Sequence, residues 1–332
     1  MAKKVIFSGI QPSGELHIGN YLGAIQNWLR LLDDYDCIFC IVDYHAITAP
    51  YDEKELPRRV YEAAVAYIAS GLVPERCTVF VQSDVPEHVE LEWLLGTVTP
   101  IGDLFRMTQY KDKAKDFAQG RSVASGLLCY PILQAADILI YKAHGVPVGE
   151  DQAQHLELTR AIARNFNRRF GAVFPEPETL LSEAKRVLGL DGERKMSKSL
   201  GNHIGLTETP ERIWEKLRPA KTDPARVRRT DKGDPQKCNV FMSYHRFFTP
   251  SPDLEFVDEG CRTAGIGCID CKKILLKHLR AALDPIRERA DAIRGRRGYV
   301  LDALDQGARR CREIAAGTIA ETRAAMGIVP RR

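Results

Sequence analysis

The sequence predicts an α/β chain: a doubly wound parallel sheet that carries the chemistry in residues 1–205, then an α-helical domain in residues 206–332. Three observations predict it. Short β-branched or aromatic runs alternate with helical periodicity through the first half, which implies βαβ units and parallel strands. From Pro210 onward the periodicity is almost wholly helical. At 332 residues the chain is also too long for one ordinary core, so two domains are the default.

In chain order, residues 4–8 read as a strand, 18–32 as an amphipathic helix and 37–42 as a second strand. Residues 52–70 read as a helix with a negative first turn, and 77–82 as a third strand. Ligands of such sheets bind outside the carboxyl ends of the strands, so chemistry is expected just after Phe7, Val42 and Gln82. Further helix is read at 151–170, a proline-bearing link at 174–178 and a Gly- and Lys-rich loop at 190–202. The helical part is broken at 249–253 and at the Gly-rich 261–271, and ends in a helix over 301–325. There is no internal repeat.

Hydrophobic content of 44% and charged content of 28% are those of a soluble globular protein and exclude disordered and fibrous classes. No apolar run approaches the ~20 residues of a membrane span. The opening Met-Ala-Lys-Lys-Val-Ile-Phe passes straight into a strand pattern, so a cytoplasmic location is expected. The net charge of +4 is unevenly spread. Residues 221–332 hold 23 Lys+Arg against 15 Asp+Glu, and residues 1–220 hold 25 against 29. A basic final third fits either a polyanion partner or a solvated helical surface. Nine cysteines, an odd number, argue against a disulfide framework.

The turn Gln11-Pro12-Ser13-Gly14-Glu15-Leu16-His17-Ile18-Gly19-Asn20 follows the first strand and opens a helix. Backbone N–H groups and the helix dipole favour phosphate there. Gly14 and Gly19 let a nucleotide approach closely, and His17 and Asn20 lie one helical turn apart. Lys195-Met196-Ser197-Lys198-Ser199 places two ammonium groups and two hydroxyls on a loop, which suits the growing charge of a leaving polyphosphate.

Together these two segments resemble the signature pair of class I aminoacyl-tRNA synthetases. Phe7–Gly14, Ile41–Thr48, Ala135–Leu139, Val148–Gln152 and His155 are similar to the tryptophanyl-tRNA synthetases in particular, and the likeness runs from Val5 to the end. The resemblance implies a Rossmann-type catalytic domain ending in the lysine loop and a helical anticodon-binding domain. It implies catalytic roles for His17, Asn20, Lys195 and Lys198. ATP would be held by Gln11, Ser13, Gly19, Asn20, Gly149, Asp151, Gln152, Lys195, Met196, Ser197, Lys198 and Ser199, with Mg²⁺ on its phosphates. The amino acid would meet Phe7, His45, Tyr130, Gln134, Asp137 and Val148. Tryptophan, its tRNA and a second copy of the chain are the implied partners, with neither membrane nor DNA.

The tyrosine-specific relatives share this architecture, but there a Tyr hydroxyl at the first strand reaches the substrate phenol. Here that position resembles Phe7, which has no donor, and the later acidic position is Gln11. Tyr130, Gln134 and Asp137 form an i, i+4, i+7 stripe on one helix face. A carboxylate on it can accept an indole N–H, and the resemblance gives that role to Asp137. Gln134 departs from the Met of many bacterial tryptophan enzymes and also fits the tyrosine enzymes.

Cys238-x22-Cys261-x6-Cys268-x2-Cys271 reads as a metal site. By spacing alone tetrahedral zinc comes first; the resemblance instead implies the [4Fe-4S] cluster of a subset of the family. Cys37 and Cys40 imitate a C-x2-C motif, but three residues apart on a strand they face opposite ways. His155 carries no assigned role. Two other readings are an iron–sulfur sensor on a synthetase-like body and a nucleotidyltransferase of related fold.

Overall fold

Five strands form one parallel sheet: β1 (Val5–Ile10), β2 (Asp36–Ile41), β3 (Thr78–Val81), β4 (Gly145–Val148) and β5 (Glu178–Leu181), ordered β3-β2-β1-β4-β5. The structure, a computed structural model, describes residues 3–12, 14–111, 124–181, 187–198 and 200–328. Ile38, Phe39, Cys40 and Ile41 of β2 are wholly buried, as a strand covered on both faces requires. Cys37 and Cys40 are both core residues of this strand. The strand order reverses between β1 and β4, the crevice where ligands of open α/β sheets bind. β4 and β5 were not legible as strands, because β4 holds Gly145 and Pro147 and β5 is only partly buried.

The chain divides into two compact units. The first comprises Met1–Ser13, Asn27–Ser182 and Arg297–Arg332; the second comprises Gly14–Gln26 and Glu183–Arg296. These units do not divide at 205/206. In the first, Trp28 stacks on Phe39 at 4.6 Å and meets Tyr67 edge-on, while Leu91, Leu95, Ala135, Leu139 and Ile162 extend the core. The final helix, Arg297–Ala325, packs along β3. A Cβ on Gly307 would stand 2.0 Å from the Val79 carbonyl oxygen, so a glycine is what admits the helix there. Arg310 bonds Asp36 (2.5 Å), and Arg323 clasps Glu90 through two bonds of 2.6 and 2.7 Å.

The stretch read as one helix over 18–32 is Ile18–Asn20, a π-helical turn Tyr21–Ile25 and Gln26–Leu31. In the second unit the Cys268–Arg294 helix buries Leu275, Leu279, Leu283, Ile286 and Ala290 at helical spacing. Its buried Lys272 donates to the carbonyls of Arg218 (2.8 Å) and Ala220 (2.6 Å), which follow the Pro210–Leu217 helix. Among the described residues no helix is long and apolar enough to cross a membrane.

Candidate functional site

The second unit carries the Gly14–Asn20 part of the His17 turn and the lysine loop. Ile18 N donates to Ile204 O (3.0 Å) and Leu206 N to Leu16 O (2.9 Å), lacing the His17 turn to the chain that follows the lysine loop. A Cβ on Gly14 would lie 2.4 Å from Lys198 Cδ, so the Lys198 side chain runs across bare backbone. Asn20 Oδ1 accepts from His17 N (3.0 Å) and fixes the helix start. Burial, then the nearby His203 and Lys195 charges, pull the His17 imidazole down to about 4. His17 is therefore neutral near pH 7, and the positive charge offered to an anion sits on the exposed Lys195 and Lys198.

Met196, buried between those lysines, anchors the loop. Ser197 N donates to Asn202 Oδ1 (2.8 Å), and Asn202 Nδ2 donates to Asp191 Oδ2 (2.8 Å) and Lys195 O (3.3 Å). Asn202 thus sets the loop's shape, a role that reading it as the end of a loop does not disclose. Ser13 and Ser199 lie outside the described residues.

The first unit carries the amino-acid candidates. Asp137, on the Gly126–Leu139 helix, is 2% exposed, yet its carboxyl is held well below the usual range. Burial alone would raise it; hydrogen bonds from His45 and His88 outweigh that. Oδ2 accepts from His45 Nε2 (2.8 Å), and Oδ1 from Gln82 Nε2 (2.7 Å) and His88 Nδ1 (2.6 Å). An ionised carboxylate only accepts, so both imidazoles donate and His88 Nε2 accepts from the Tyr141 hydroxyl (2.6 Å). Two lone pairs per oxygen leave Oδ2 one acceptor place.

Tyr130 donates to Gln109 Oε1 (2.6 Å) and accepts from His155 Nε2 (2.9 Å). Burial pulls His155 down to about 4. Gln134 Nε2 reaches Gln152 Oε1 (3.4 Å), and Gln152 reaches Asp151 (3.3 Å). Gly149 precedes the 3₁₀ turn Glu150–Gln152 after β4, where half-buried Val148 ends the strand. Gln11 is exposed just after β1. The structure therefore joins His45 to Asp137 by a hydrogen bond, sets the Tyr130 ring edge-on to His45 at 6.2 Å, and joins Gln134, Gln152 and Asp151 as a separate group. Phe7 is 4% exposed and stacks on Tyr141 at 5.5 Å, within the core. Gln82, His88, Gln109 and Tyr141 were not assigned from sequence; only the position after β3 pointed there.

The four later cysteines sit at helix ends: Cys261 in the last turn of Ser251–Arg262, Cys268 and Cys271 in the first turn of Cys268–Arg294, and Cys238 just after Pro235–Lys237. They interact electrostatically with one another. Cys261 faces Arg226 Nη1 (3.8 Å) and Cys271 faces His245 Nε2 (3.3 Å). Burial pushes the Cys271 thiol up to about 12.

Residues 2–284 match the family described as tRNA synthetases class I (W and Y). The tryptophan–tRNA ligase of Deinococcus radiodurans is 55% identical over 98% of each chain. That of Thermotoga maritima is 44% identical over 98% of this chain and 99% of its own. Among solved structures, tryptophanyl-tRNA synthetase from Campylobacter jejuni, complexed with ADP and tryptophan, matches with a TM-score of 0.87 and 34% identity. It covers 97% of this chain and 99% of that one.

Proposed function

The chain belongs to the class I tRNA synthetases for tryptophan and tyrosine, and we propose the residue roles by which it activates tryptophan with ATP and ligates it to tRNA. The tryptophan carboxylate attacks the α-phosphorus of ATP, a new C(O)O–P bond forms, and the bond to pyrophosphate breaks. A ribose hydroxyl of the tRNA end then attacks the adenylate carbonyl and AMP leaves. Such chemistry asks the protein for positioning and charge stabilisation. Neutral His17 and Asn20 hold phosphate oxygens, Gly19 lies against adenosine, and Lys195 and Lys198 take the charge of departing pyrophosphate. ATP-bound Mg²⁺ supplies neutralisation on the phosphate oxygens.

The observation that carries tryptophan over tyrosine is Asp137: an ionised, buried carboxylate with one acceptor place, suited to the indole N–H. Phe7, without a donor for a phenol, supports the same choice. Purified protein should exchange pyrophosphate into ATP with tryptophan and hardly at all with tyrosine. Equal exchange with tyrosine would overturn it.

We assign catalysis to residues 1–205 and anticodon recognition to the basic part after them, with Arg297–Ala325 structurally a member of the sheet unit. The four cysteines we assign to a [4Fe-4S] cluster. Four neighbouring thiols, Cys238 buried and the other three half-buried, with Arg226 and Lys272 beside them, fit a centre that needs thiolates. Bound there, the cluster would be held by Cys238, Cys261, Cys268 and Cys271 and would tie two helix ends to the Cys238 segment. We also infer a cytoplasmic homodimer. Exposed Trp93 (76%) and Ile101 (62%) border an apolar groove of about 460 Å³ lined by Leu104, Leu128 and Ile132, which a second copy would cover.

A further inference from the structure

Within the second unit, a carboxylate oxygen of Glu15, a ring nitrogen of His203 and a carboxylate oxygen of Glu208 all lie within 4.8 Å of one another. The backbone pairing of Leu16–Ile18 with Ile204–Leu206 brings them together. Among the described residues, two polar groups in the cluster are buried without partners. His203 is 7% exposed and its Nδ1 meets no hydrogen-bond partner among them. The Glu208 side chain is 10% exposed; Oε1 pairs with Lys216, whereas buried Oε2 pairs with none of the described residues. Leaving such an atom unpaired is costly, and more so for a charged group.

The electrostatics point the same way. The Glu15 carboxyl is pushed up, first by burial and then by the Glu208 carboxylate, and Lys216 and Lys198 offset only part of that. Lys216 is already shared between Glu208 and the His203 carbonyl (3.1 Å). His203 is pushed down, first by burial, which keeps its ring neutral and able to ligate.

We propose that Glu15, His203 and Glu208 bind a divalent cation of the manganese or zinc kind, at a site distinct from the Mg²⁺ carried by ATP. Two carboxylate oxygens and one imidazole suit these ions; Mg²⁺ prefers an all-oxygen octahedron. Ligand atoms ~2.1 Å from one ion stand at most ~4.2 Å apart, so shifts of a few tenths of an ångström close the site. The ion would pin Glu15, two residues before His17, to the segment that follows the lysine loop.

Manganese is the probe of choice, because thiolates prefer softer ions and leave it to the oxygen–nitrogen site. Chelator-stripped full-length protein, free of nucleotide, should bind about one Mn²⁺ per chain by electron paramagnetic resonance, and its Tm should rise with added Mn²⁺. Glu208→Gln and His203→Gln should each weaken binding at least tenfold, while Cys268→Ser should bind as the parent does. Absence of Mn²⁺ binding to the parent protein overturns the proposal whatever the variants do. So does unchanged binding in both site variants, or loss of binding in Cys268→Ser, which would place the ion among the thiols.

Discussion

At the residue scale, function rests on side chains whose surroundings set their charge. Asp137 keeps its negative charge in the core because three donors face it. Asp137→Asn should raise the tryptophan KM in pyrophosphate exchange about 10- to 100-fold, since a hydrogen bond to a charged group is worth about 1.5–3 kcal/mol. Unchanged tryptophan kinetics would remove Asp137 from the amino-acid site. In the proposed mechanism Lys195 acts differently, because the charge it meets grows only as pyrophosphate leaves. Lys195→Ala should slow adenylate formation by about 100-fold or more with tryptophan affinity nearly unchanged. Lost affinity with an intact chemical step would make Lys195 a ground-state binder. Motif chemistry let His17, Lys195 and Lys198 be proposed from the sequence, because two short segments carry it. His88, Gln82 and Tyr141 were not legible. They act through one carboxylate, and no local pattern announces which distant side chains share a buried partner.

At the element scale, the first three strands were legible from their β-branched runs and the Cys268–Arg294 stripe from its periodicity. β4 was hidden by Gly145 and Pro147, and the π-helical turn at Tyr21–Ile25 leaves no periodic signal over five residues. The Arg297–Ala325 helix was legible as a helix but not as a neighbour of β3, because its contact depends on a gap. Gly307 is that gap. Gly307→Ala puts a methyl group against the Val79 carbonyl, backbone that cannot rotate away, and should cost about 1–3 kcal/mol. The denaturation midpoint should fall accordingly, while Gly317→Ala, whose Cβ position meets nothing within 4 Å, should leave it unchanged or higher. Equal behaviour of the two variants would mean that the helix does not bear on β3 as described.

At the scale of the whole molecule, both units hold histidines kept neutral by burial, His155 in the first and His17 in the second, each near 4. Their unfolded values lie near 6.5. Between those limits the unfolded chain binds more protons, so stability is fully present above pH ~6.5 and is lost as pH falls toward 4. Denaturant titrations across that range should show the decline, and His155→Gln should flatten part of it; an unaltered slope would remove His155 as a contributor. The division of labour can be separated in the same molecule. The four cysteines proposed to hold a cluster lie in the second unit, in the basic stretch after the lysine loop, whereas the amino-acid candidates lie in the first. If they hold such a centre, removing one thiol takes away a tie between helix ends and leaves Asp137, His45 and Tyr130 untouched. Protein prepared without oxygen should be brown and hold about four irons per chain with acid-labile sulfide. Cys268→Ser should lose that colour and charge tRNA poorly, yet keep most tryptophan-dependent exchange, because exchange needs no tRNA. Colourless parent protein with one zinc per chain would replace the cluster by a zinc site. Equal loss of both activities in Cys268→Ser would show instead that the cysteine-bearing helices hold up the His17 turn and the lysine loop, with which they share a unit.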